Sequence, residues 1–257
     1  MNVLVASPVF EGMKYCFEEF LESVKNLDFP DYDVLIVDNS RTNYFFNELR
    51  GKGVNVIKDE TSDEKNKLRL ISSRNKIIDY AIEKGYDYIL MMDSDVIAPK
   101  TILKDLLTSG KEIISGLYYN DFKIDGLIQK SPVCWCHVTP KEFEEIKSGV
   151  GLPPFVKSCN NLRRHLTKEE ADSNKIVRVK IPSAGCMLIK RNVFEQIRYG
   201  LLDVPGNLST GDDIYFCTKA EEKGFEIYCD TSIKCEHLVK GKFKRDEKGN
   251  LMHPLGE

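Results

Sequence analysis

Two aspartates that could hold a divalent cation, Asp93 and Asp95, follow the apolar run from Tyr88 to Met92. Side chains two positions apart at the end of a strand point to the same side, so both carboxylates can face one site. Two carboxylates held together are unfavourable unless a cation or hydrogen-bond donors neutralise them. Oxygen ligands suit Mg²⁺ or Mn²⁺, and such an ion commonly holds a diphosphate. The alternative is an acidic turn that caps the helix beginning near Pro99.

Arg74 is a second candidate, because it lies on the apolar stripe of a predicted helix. It follows Ile71 by three residues and precedes Ile78 by four, which places it on the face that meets the core. A cation in that position needs a carboxylate or a phosphate as its partner. The spacing leaves both interpretations open: a phosphate-binding residue, or a structural ion pair with Asp38 or Asp93.

A second acidic pair, Asp212 and Asp213, opens another predicted helix. Asp213 leads the apolar positions Phe216, Cys217 and Ala220, so its side chain is expected to point inward near the helix start. A carboxylate in that position is a candidate general base. Capping and compensation of the helix dipole explain an acidic first turn equally well.

His237 follows a predicted strand, and its interest depends on whether it reaches the acidic site, since a lone histidine is more often structural. The chain has eight cysteines, and without a signal peptide we expect reduced thiols rather than a disulfide framework. Two sets raise zinc as an alternative, although neither has the paired short cysteine spacing of structural zinc modules. These sets are Cys134 and Cys136 with His137, and Cys229 and Cys235 with His237.

The elements that must position these side chains alternate between strands and helices in the first half of the chain. Strands this apolar, separated by helices, predict an α/β fold: a Rossmann-like, mostly parallel central sheet flanked by helices. Ligands of such sheets lie at the carboxyl ends of the strands, where Ser7, Asp38 and Asp93 stand. The predicted strands cover 2–7, 33–37, 54–57, 86–92 and 112–117, and the predicted helices cover about 13–24, 68–84 and 99–108.

The second half of the chain is less regular. Residues 118–175 contain the only tryptophan, Trp135, and a basic patch at 163–165, and we expect this segment to shape an acceptor site. Trp135 is either a platform for stacking a sugar or a core residue. We predict one domain over 1–239, with halves 1–117 and 118–239, and a polar tail without a core pattern over 240–257. Further predictions are strands within 177–189 that 182–185 interrupts, helices from about Arg191 and Asp212, a loop through Pro205 and Gly206, and a last strand at 225–229.

Composition excludes several classes of protein. Of the 257 residues, 42% are apolar and 30% charged, which is ordinary for a globular protein and argues against global disorder. The net charge of -3 gives no support to a nucleic-acid binder, which usually carries a basic excess. The apolar N-terminus lacks a positive region and meets Glu11, unlike a signal peptide. No apolar run is long enough to cross a membrane, so we expect a soluble, cytoplasmic protein with at most peripheral membrane contact.

Taken in order, these residues resemble the family 2 glycosyltransferases, a large group of enzymes with the GT-A fold. The resemblance extends from the N-terminus to about His237 and is weakest between about Tyr119 and Arg178. No single segment is specific, but the order and spacing of the segments together are. They are 6–9 (ASPV), 37–40 (VDNS), 73–75 (SRN), 90–95 (LMMDSD), 185–189 (GCMLI), 191–194 (RNVF) and 211–217 (GDDIYFC).

The resemblance implies a nucleoside-diphosphate sugar as donor, with a UDP-sugar preferred over a GDP-sugar, and a glycan, lipid or protein as acceptor. It also implies that Asp95 ligates Mn²⁺ or Mg²⁺ bridging the two phosphates, with Asp93 and His237 as further candidate ligands. The metal would stabilise charge that develops on the leaving nucleoside diphosphate. The residues implied to bind the nucleotide sugar are Ser7, Pro8, Asp38, Arg74, Asp93 and Ser94.

The same resemblance implies that Asp213 takes the proton from the acceptor hydroxyl, so that one displacement inverts the anomeric centre. The family often has Glu-Asp where this chain has Asp212 and Asp213, which leaves open which carboxylate is the base; Asp213 is preferred. The basic Q-x-x-R-W type of motif of processive relatives is absent from the sequence. Single transfer is therefore expected rather than polymer synthesis.

Two alternative functions remain. A sugar-phosphate nucleotidyltransferase would carry a glycine-rich loop with arginine and lysine directly after the first strand, whereas no basic residue lies between Ser7 and Lys14 here. A catalytically inactive nucleotide-sugar-binding module is the other alternative. The joint presence of Asp95, Asp213 and His237 argues against it, and turnover of donor would separate the two.

Overall fold

The computed structural model describes residues 1–61, 65–124, 127–154, 156–202, 211–241, 244–245, 247–248 and 251–252. The strands are β1 (Val3–Val9), β2 (Tyr32–Asp38), β3 (Val56–Lys58), β4 (Tyr88–Met92), β5 (Val96–Ile97), β6 (Ile113–Leu117), β7 (Tyr119–Ile124), β8 (Leu127–Pro132), β9 (Trp135–His137), β10 (Arg163–His165), β11 (Ile176–Arg178), β12 (Cys186–Lys190), β13 (Ile227–Lys234), β14 (Glu236–His237), β15 (Lys244–Arg245) and β16 (Leu251–Met252). The helices are α1 (Phe17–Lys25), α2 (Tyr44–Gly51), α3 (Asn66–Lys84), α4 (Ile102–Thr108), α5 (Pro140–Val150), α6 (Lys168–Ala171), α7 (Arg191–Phe194) and α8 (Asp212–Glu222), with 3-10 turns at Glu11–Met13 and Cys159–Asn161.

The centre of the molecule is an eight-stranded sheet in the order β11-β13-β6-β12-β4-β1-β2-β3. Strands β3, β2, β1 and β4 are parallel neighbours, and β6 pairs in parallel with β13. Strand β12 lies antiparallel between β4 and β6, and β11 is the antiparallel edge. Six of the eight strands therefore run in one direction, and the predicted mostly parallel α/β sheet is confirmed.

Helices cover both faces of this sheet, which explains why its strands are apolar without alternation. In β1, Leu4 and Ala6 pack on one face in a cluster with buried residues of α3, α7 and α8. Val3 and Val5 pack on the opposite face with residues of α1, α2 and α4. All seven residues of β1 are buried in consequence.

Helix α3 carries the predicted arginine and ends where the sequence indicates. Gly85 adopts a left-handed conformation with φ 80° and closes the helix through hydrogen bonds to Ala81 and Ile82. Along this helix Ser73, Arg74, Ile77 and Ile78 are buried against the sheet. The predicted apolar stripe through Arg74 therefore faces the interior.

The regular elements agree with the prediction within a few residues, and the irregular ones do not. The sequence interpretation missed α2, which buries Phe45 and Leu49, and the hairpin of β7 and β8. The helix expected from Arg191 is only the single turn α7. In the predicted tail, β15 and β16 pair with each other. The predicted loop through Pro205 and Gly206 and the last five residues lie outside the described residues.

Residues from both predicted halves enter the same sheet, since β12 from the second half lies between β4 and β6 from the first. The division at residue 117 stays a prediction. Within the part of the chain that the structure describes, no helix is both long and apolar enough to cross a membrane.

Candidate active site

A cavity of about 270 Å³ opens at the carboxyl edge of β1, β2 and β4. This is the edge at which open α/β sheets bind ligands. Its polar lining combines carboxylates that follow β4 with basic and amide side chains from α3 and the end of β2. Its apolar lining comes mainly from the end of β1 and the turn after it. The lining residues are Pro8, Val9, Phe10, Met13, Asn39, Asn66, Lys67, Arg69, Leu70, Arg74, Asp93, Ser94 and Asp95.

The buried guanidinium of Arg74 joins two of the predicted acidic sites. Its Nη2 atom lies 2.7 Å from Oδ1 of Asp93, and its Nε atom lies 3.1 Å from Oδ2 of Asp212. Arg74 is only 3% exposed, so its charge is compensated by these carboxylates and not by water. Of the two partners considered from the sequence, Asp93 is the one in contact, and Asp212 is an additional partner that helical spacing could not indicate.

Negative charge exceeds positive charge around Asp93. Burial raises the pKa of Asp93 to about 6, against the opposing effect of Arg74, and the carboxylates of Asp95, Asp212 and Asp213 contribute to the rise. Three further carboxylates thus act on Asp93, against the effect of Arg74. A divalent cation at this edge would relieve that repulsion.

Gly185 holds Asp93 from the opposite side, through the antiparallel neighbour of β4. Its carbonyl oxygen accepts a hydrogen bond of 2.9 Å from the Asp93 amide, and its own amide donates to the Tyr118 hydroxyl at 3.3 Å. A Cβ atom at Gly185 would stand 2.9 Å from Oδ2 of Asp93 and 3.0 Å from the Tyr118 hydroxyl. This position therefore requires glycine, because backbone and carboxylate approach each other closely.

Strand β14 brings His237 to the acidic edge by pairing with β5, with His237 opposite Val96. The Nε2 atom of His237 lies 3.5 Å from Oδ2 of Asp95, and the Leu238 amide donates to the Asp95 carbonyl at 2.7 Å. The imidazole ring of His237 lies 5.3 Å from the Tyr118 ring. His237 therefore reaches the acidic site, a point that the sequence left open.

Helix α8 presents Asp213 beside Asp212 and buries the predicted Phe216, Cys217 and Ala220. Oδ1 of Asp213 accepts a hydrogen bond of 2.8 Å from the Ile214 amide. The Asp213 side chain lies over Gly211, so a Cβ atom at Gly211 would be only 2.2 Å from the Asp213 Oδ1 atom. Burial and the adjacent Asp212 raise the pKa of Asp213, while the Ile214 amide, Arg74 and Arg163 lower it.

Tyr199 supports Arg74 and was missed from the sequence. The guanidinium carbon of Arg74 lies 5.2 Å from the centre of the Tyr199 ring, which stacks on Phe216 at 4.6 Å. Asn75 fixes this segment, since its side chain donates to the Tyr199 carbonyl and accepts from the Tyr199 amide. Asn75 belongs to the segment 73–75 that carries part of the family resemblance. Its contact with Tyr199 could not be predicted from spacing, because the two residues are 124 positions apart.

Three other predicted residues differ in their relation to the cavity. Ser7 is fully buried and is not among the residues that line it, whereas Ser94 lines it. Asp38 is also fully buried: Ser40 donates to its Oδ1 atom, and the Lys58 ammonium lies 2.8 Å from its Oδ2 atom. Asn39 lines the cavity next to it. Nucleotide binding by Asp38 stays a prediction.

The donor atoms at this edge fit a hard divalent cation. Within the described ranges no three or more His, Cys, Asp or Glu side chains form a ready-made metal cluster. Asp95 and His237 face each other, however; carboxylate oxygens suit both Mn²⁺ and Mg²⁺, and an imidazole is a further ligand that suits Mn²⁺ better than Mg²⁺. Such ions commonly complete their coordination with water and substrate phosphates. At the sets that raised zinc, the cysteines are free thiols and His137 pairs with Glu221 at 3.0 Å.

Three solved structures share this fold at low sequence identity. GalNAc-T7 with UDP, GalNAc and Mn²⁺ has a TM-score of 0.58 and 13% identity, over 93% of this chain and 44% of that one. The mannosyltransferase PcManGT from Pyrobaculum calidifontis with GDP-Man and Mn²⁺ has a TM-score of 0.53 and 14% identity, over 93% and 57%. S. aureus TarS 1-349 with UDP-GlcNAc has a TM-score of 0.50 and 16% identity, over 97% and 60%.

The chain thus spans about half the length of these three structures, which are similar to it in fold. No curated protein sequence matches the chain. The model of the family described as glycosyl transferase family 2 matches residues 8–198 of the 257, which is most of the chain. The matched range includes the end of β1, all of β2 and β4, the arginine of α3 and the acidic pair after β4. The chain therefore belongs to glycosyl transferase family 2.

Proposed function

We propose that this glycosyltransferase moves a sugar from a nucleoside-diphosphate sugar to an acceptor hydroxyl, in a metal-dependent reaction that inverts the anomeric centre. The observation that carries the proposal is the acidic edge of the cavity, where Asp93 and Asp95 share one site with the buried Arg74. An edge where several carboxylates meet basic side chains suits a cation together with a diphosphate.

On the donor side, the nucleotide sugar occupies the cavity beyond β1, with Pro8 and Asn39 among its walls. Arg74 already has two carboxylate partners, and its Nη1 atom is buried without a hydrogen-bond partner among the described residues. A buried guanidinium N–H without a partner is costly, and an oxygen of the donor would satisfy it. Asp93 and Ser94 contribute to the same wall.

Asp95 and His237 are the residues that would hold Mn²⁺ or Mg²⁺, with Asp93 as a third candidate. When bound, the ion supplies a Lewis acid that stabilises negative charge on the departing diphosphate. The protein contributes the fixed positions of these ligands. Strand β14 pairs with β5, and the Leu238 amide bonds the Asp95 carbonyl, so imidazole and carboxylate are held by backbone hydrogen bonds.

Asp213 is the residue that takes the proton from the acceptor hydroxyl. Burial and Asp212 raise the pKa of its carboxyl group, which strengthens it as a base. Asp212 is engaged with Arg74 at 3.1 Å, and this engagement makes it less suitable for the same task. A base on one side of the sugar and the departing diphosphate on the other describe a single displacement with inversion.

The similar structures carry UDP with GalNAc, UDP-GlcNAc and GDP-Man, and these ligands support a nucleotide sugar as donor without selecting the base. The preference for a UDP-sugar over a GDP-sugar stays a prediction. So do the glycan, lipid or protein nature of the acceptor, peripheral contact with a membrane and the cytoplasmic location.

Turnover of donor tests this proposal. The protein is incubated with UDP-sugars and GDP-sugars, with Mn²⁺ or with EDTA, and release of nucleoside diphosphate is followed. We expect release with one donor class, loss of release in EDTA, and loss in Asp213→Asn when an acceptor is present. Tight nucleotide binding without any release would support the inactive-module alternative. Formation of a nucleotide sugar from a sugar phosphate and a nucleoside triphosphate would support a nucleotidyltransferase.

A further inference from the structure

The basic patch at residues 163–165 is divided by the structure into three different environments. The Arg164 guanidinium forms ion pairs with glutamates in the first turns of α5 and α6, at 2.8 Å from Glu142 and 2.7 Å from Glu170. The Nδ1 atom of His165 lies 3.0 Å from the Pro132 carbonyl, and its ring lies 5.0 Å from that of Trp135. These two side chains are therefore occupied within the protein.

Arg163, the first residue of the patch, has no such partner among the described residues. Its side chain is exposed, and among the described residues no carboxylate lies within ion-pair distance of it. Strand β10 pairs antiparallel with β9, which sets Arg163 opposite His137. Since neighbouring residues of a strand point to opposite sides, the Arg163 side chain leaves β10 on the face opposite to that of Arg164.

The ribbon of β9 and β10 lies against the helix that carries the proposed base. The Nε2 atom of His137 is 3.0 Å from Oε1 of Glu221, two turns along α8 from Asp213. The charge of Arg163 also contributes to lowering the pKa of Asp213, after the larger effects of the Ile214 amide and Arg74. Arg163 therefore belongs to the surroundings of the base, although 50 residues separate the two in sequence.

Lys180 adds a second cation to the same surface. Its ammonium donates to the carbonyl oxygens of Asn160 and Leu162, directly before Arg163. Among the described residues it also has no carboxylate within ion-pair distance. By contrast Arg178, on the adjoining strand β11, is paired with Glu226 at 3.2 Å. Two cations with no carboxylate at ion-pair distance among the described residues thus lie close together, and Glu221 of α8 is an acidic group that acts on Lys180.

We propose that the acceptor carries an acidic group, a carboxylate or a phosphate, which Arg163 binds in the field of Lys180 while the acceptor hydroxyl faces Asp213. The proposal rests on the proposed transferase function and adds the chemical class of its acceptor. A guanidinium presents a planar fork of donors that matches both kinds of oxyanion.

Binding of the acid also has a consequence for the base. An unneutralised cation near a carboxylate favours the charged form and makes it a weaker base. An acidic group on the acceptor would neutralise Arg163 and remove that effect when the substrate arrives. A neutral sugar would leave it in place.

The test compares matched probes on the whole protein, saturated with UDP and Mn²⁺ so that the donor's phosphate site is filled. Methyl glucuronide is compared with methyl glucoside, and glycerol 1-phosphate with glycerol, by calorimetric titration. We expect at least one acidic probe to bind about tenfold more tightly than its neutral counterpart. The two pairs distinguish a carboxylate from a phosphate, and the preference should shrink with added salt.

Variants assign the effect to the residue. Arg163→Gln should reduce the preference to less than about threefold, Arg163→Lys should retain part of it, and the ion-paired Arg178→Gln should leave it unchanged. Equal or undetectable binding of acidic and neutral probes, or a preference that survives Arg163→Gln, would overturn the inference. Failure of the transferase proposal is seen separately, because wild-type protein would then neither bind UDP in this titration nor turn over a donor.

Discussion

The two sides of the site have opposite electrostatic character. On the donor side, Asp93 and Asp212 pair with the buried Arg74, and the carboxylates of Asp95, Asp212 and Asp213 help to raise the pKa of Asp93. On the acceptor side, Arg163 and Lys180 have no paired carboxylate among the described residues. Each side therefore needs a partner of opposite charge, which on our account is a divalent metal on the first and an acidic acceptor on the second.

Helix α8 connects these two sides through adjacent residues. Asp212 turns to Arg74 at 3.1 Å, whereas Asp213 lies within the field of Arg163. In the first turn of α8, Asp212 is thus held on the proposed donor side, whereas Asp213 faces the proposed acceptor side. The difference between the sides should be visible in which substitutions affect donor binding and which affect transfer.

The largest effect is expected from Asp95→Ala. Loss of this carboxylate removes the proposed metal ligand that faces His237, so metal-dependent nucleotide binding should disappear. Transfer should fall by about a thousandfold or more, since a metal contributes several kcal/mol to stabilising the transition state. Calorimetric titration with UDP and Mn²⁺ checks this, with the exposed Asp105→Asn as a matched control. Unchanged Mn²⁺-dependent affinity in Asp95→Ala would remove Asp95 from the metal site.

Asp213→Asn should separate binding from transfer. We expect donor affinity to change by less than about twofold while the rate of transfer falls by about 10²- to 10⁴-fold, the usual contribution of a general base. Asp212→Asn is the comparison, because it disturbs the partner of Arg74 and should weaken donor binding instead. Single-turnover kinetics at saturating donor measure the difference. Normal transfer by Asp213→Asn combined with loss in Asp212→Asn would reverse the assignment.

Gly185→Ala should displace Asp93 without changing any charge. The added methyl group would stand 2.9 Å from Oδ2 of Asp93 and 3.0 Å from the Tyr118 hydroxyl, so one of them must move. A shift of this size in a ligand-binding group should lower activity by about ten- to a hundredfold. Gly149→Ala is the control, since nothing lies within 4 Å of a Cβ atom there. Wild-type activity in Gly185→Ala would show that the position of Asp93 is not constrained.

The smallest effect is on stability. Burial and neighbouring carboxylates raise the pKa of Asp93 to about 6, above its usual value of 3.8, so at pH 8 the folded protein holds an ionised group that it disfavours. This cost falls as the pH drops through 6 and vanishes below about 4, when folded and unfolded forms are both protonated. We therefore compare the free energy of unfolding of Asp93→Asn with that of wild type in EDTA. The difference in favour of Asp93→Asn should be larger at pH 8 than at pH 4, by on the order of 1 kcal/mol.

Denaturant unfolding at several pH values checks this prediction, with Asp105→Asn as the control for loss of an exposed charge. Mn²⁺ with UDP should reverse the order of stability at pH 8, because only the wild type retains the full acidic edge. A difference between wild type and Asp93→Asn that does not vary with pH would contradict the unfavourable ionisation of Asp93.

How much could be predicted from the sequence differs between the two sides for a physical reason. On the donor side, chemical groups follow immediately after buried strands or lie on the apolar stripe of one long helix. Period and spacing therefore sufficed to predict the strand ending at Asp93 and the inward orientation of Arg74. The expectation for His237 needed the pairing of β14 with β5, which spacing alone does not give.

On the acceptor side, positions depend on contacts between distant segments. Arg163, Arg164 and His165 look alike as a basic patch, and only the helix caps at Glu142 and Glu170 distinguish them. Both caps are sequence signatures, Thr139-x-x-Glu142 and Thr167-x-x-Glu170, and a search for capping boxes would have found those two helices. The antiparallel insertion of β12 had no local signal of this kind, because its apolar residues suit either direction.

The most direct test of the central claim is a thermal-shift measurement with UDP, GDP, CDP and dTDP, each with and without Mn²⁺. A ligand at about a hundred times its dissociation constant adds roughly 2.7 kcal/mol, which raises the melting temperature by several degrees. We predict stabilisation by one nucleoside diphosphate only when Mn²⁺ is present, and no such shift in Asp95→Ala. No shift with any nucleotide, or the same shift without metal, would contradict a metal-dependent donor site at the edge formed by Asp93 and Asp95.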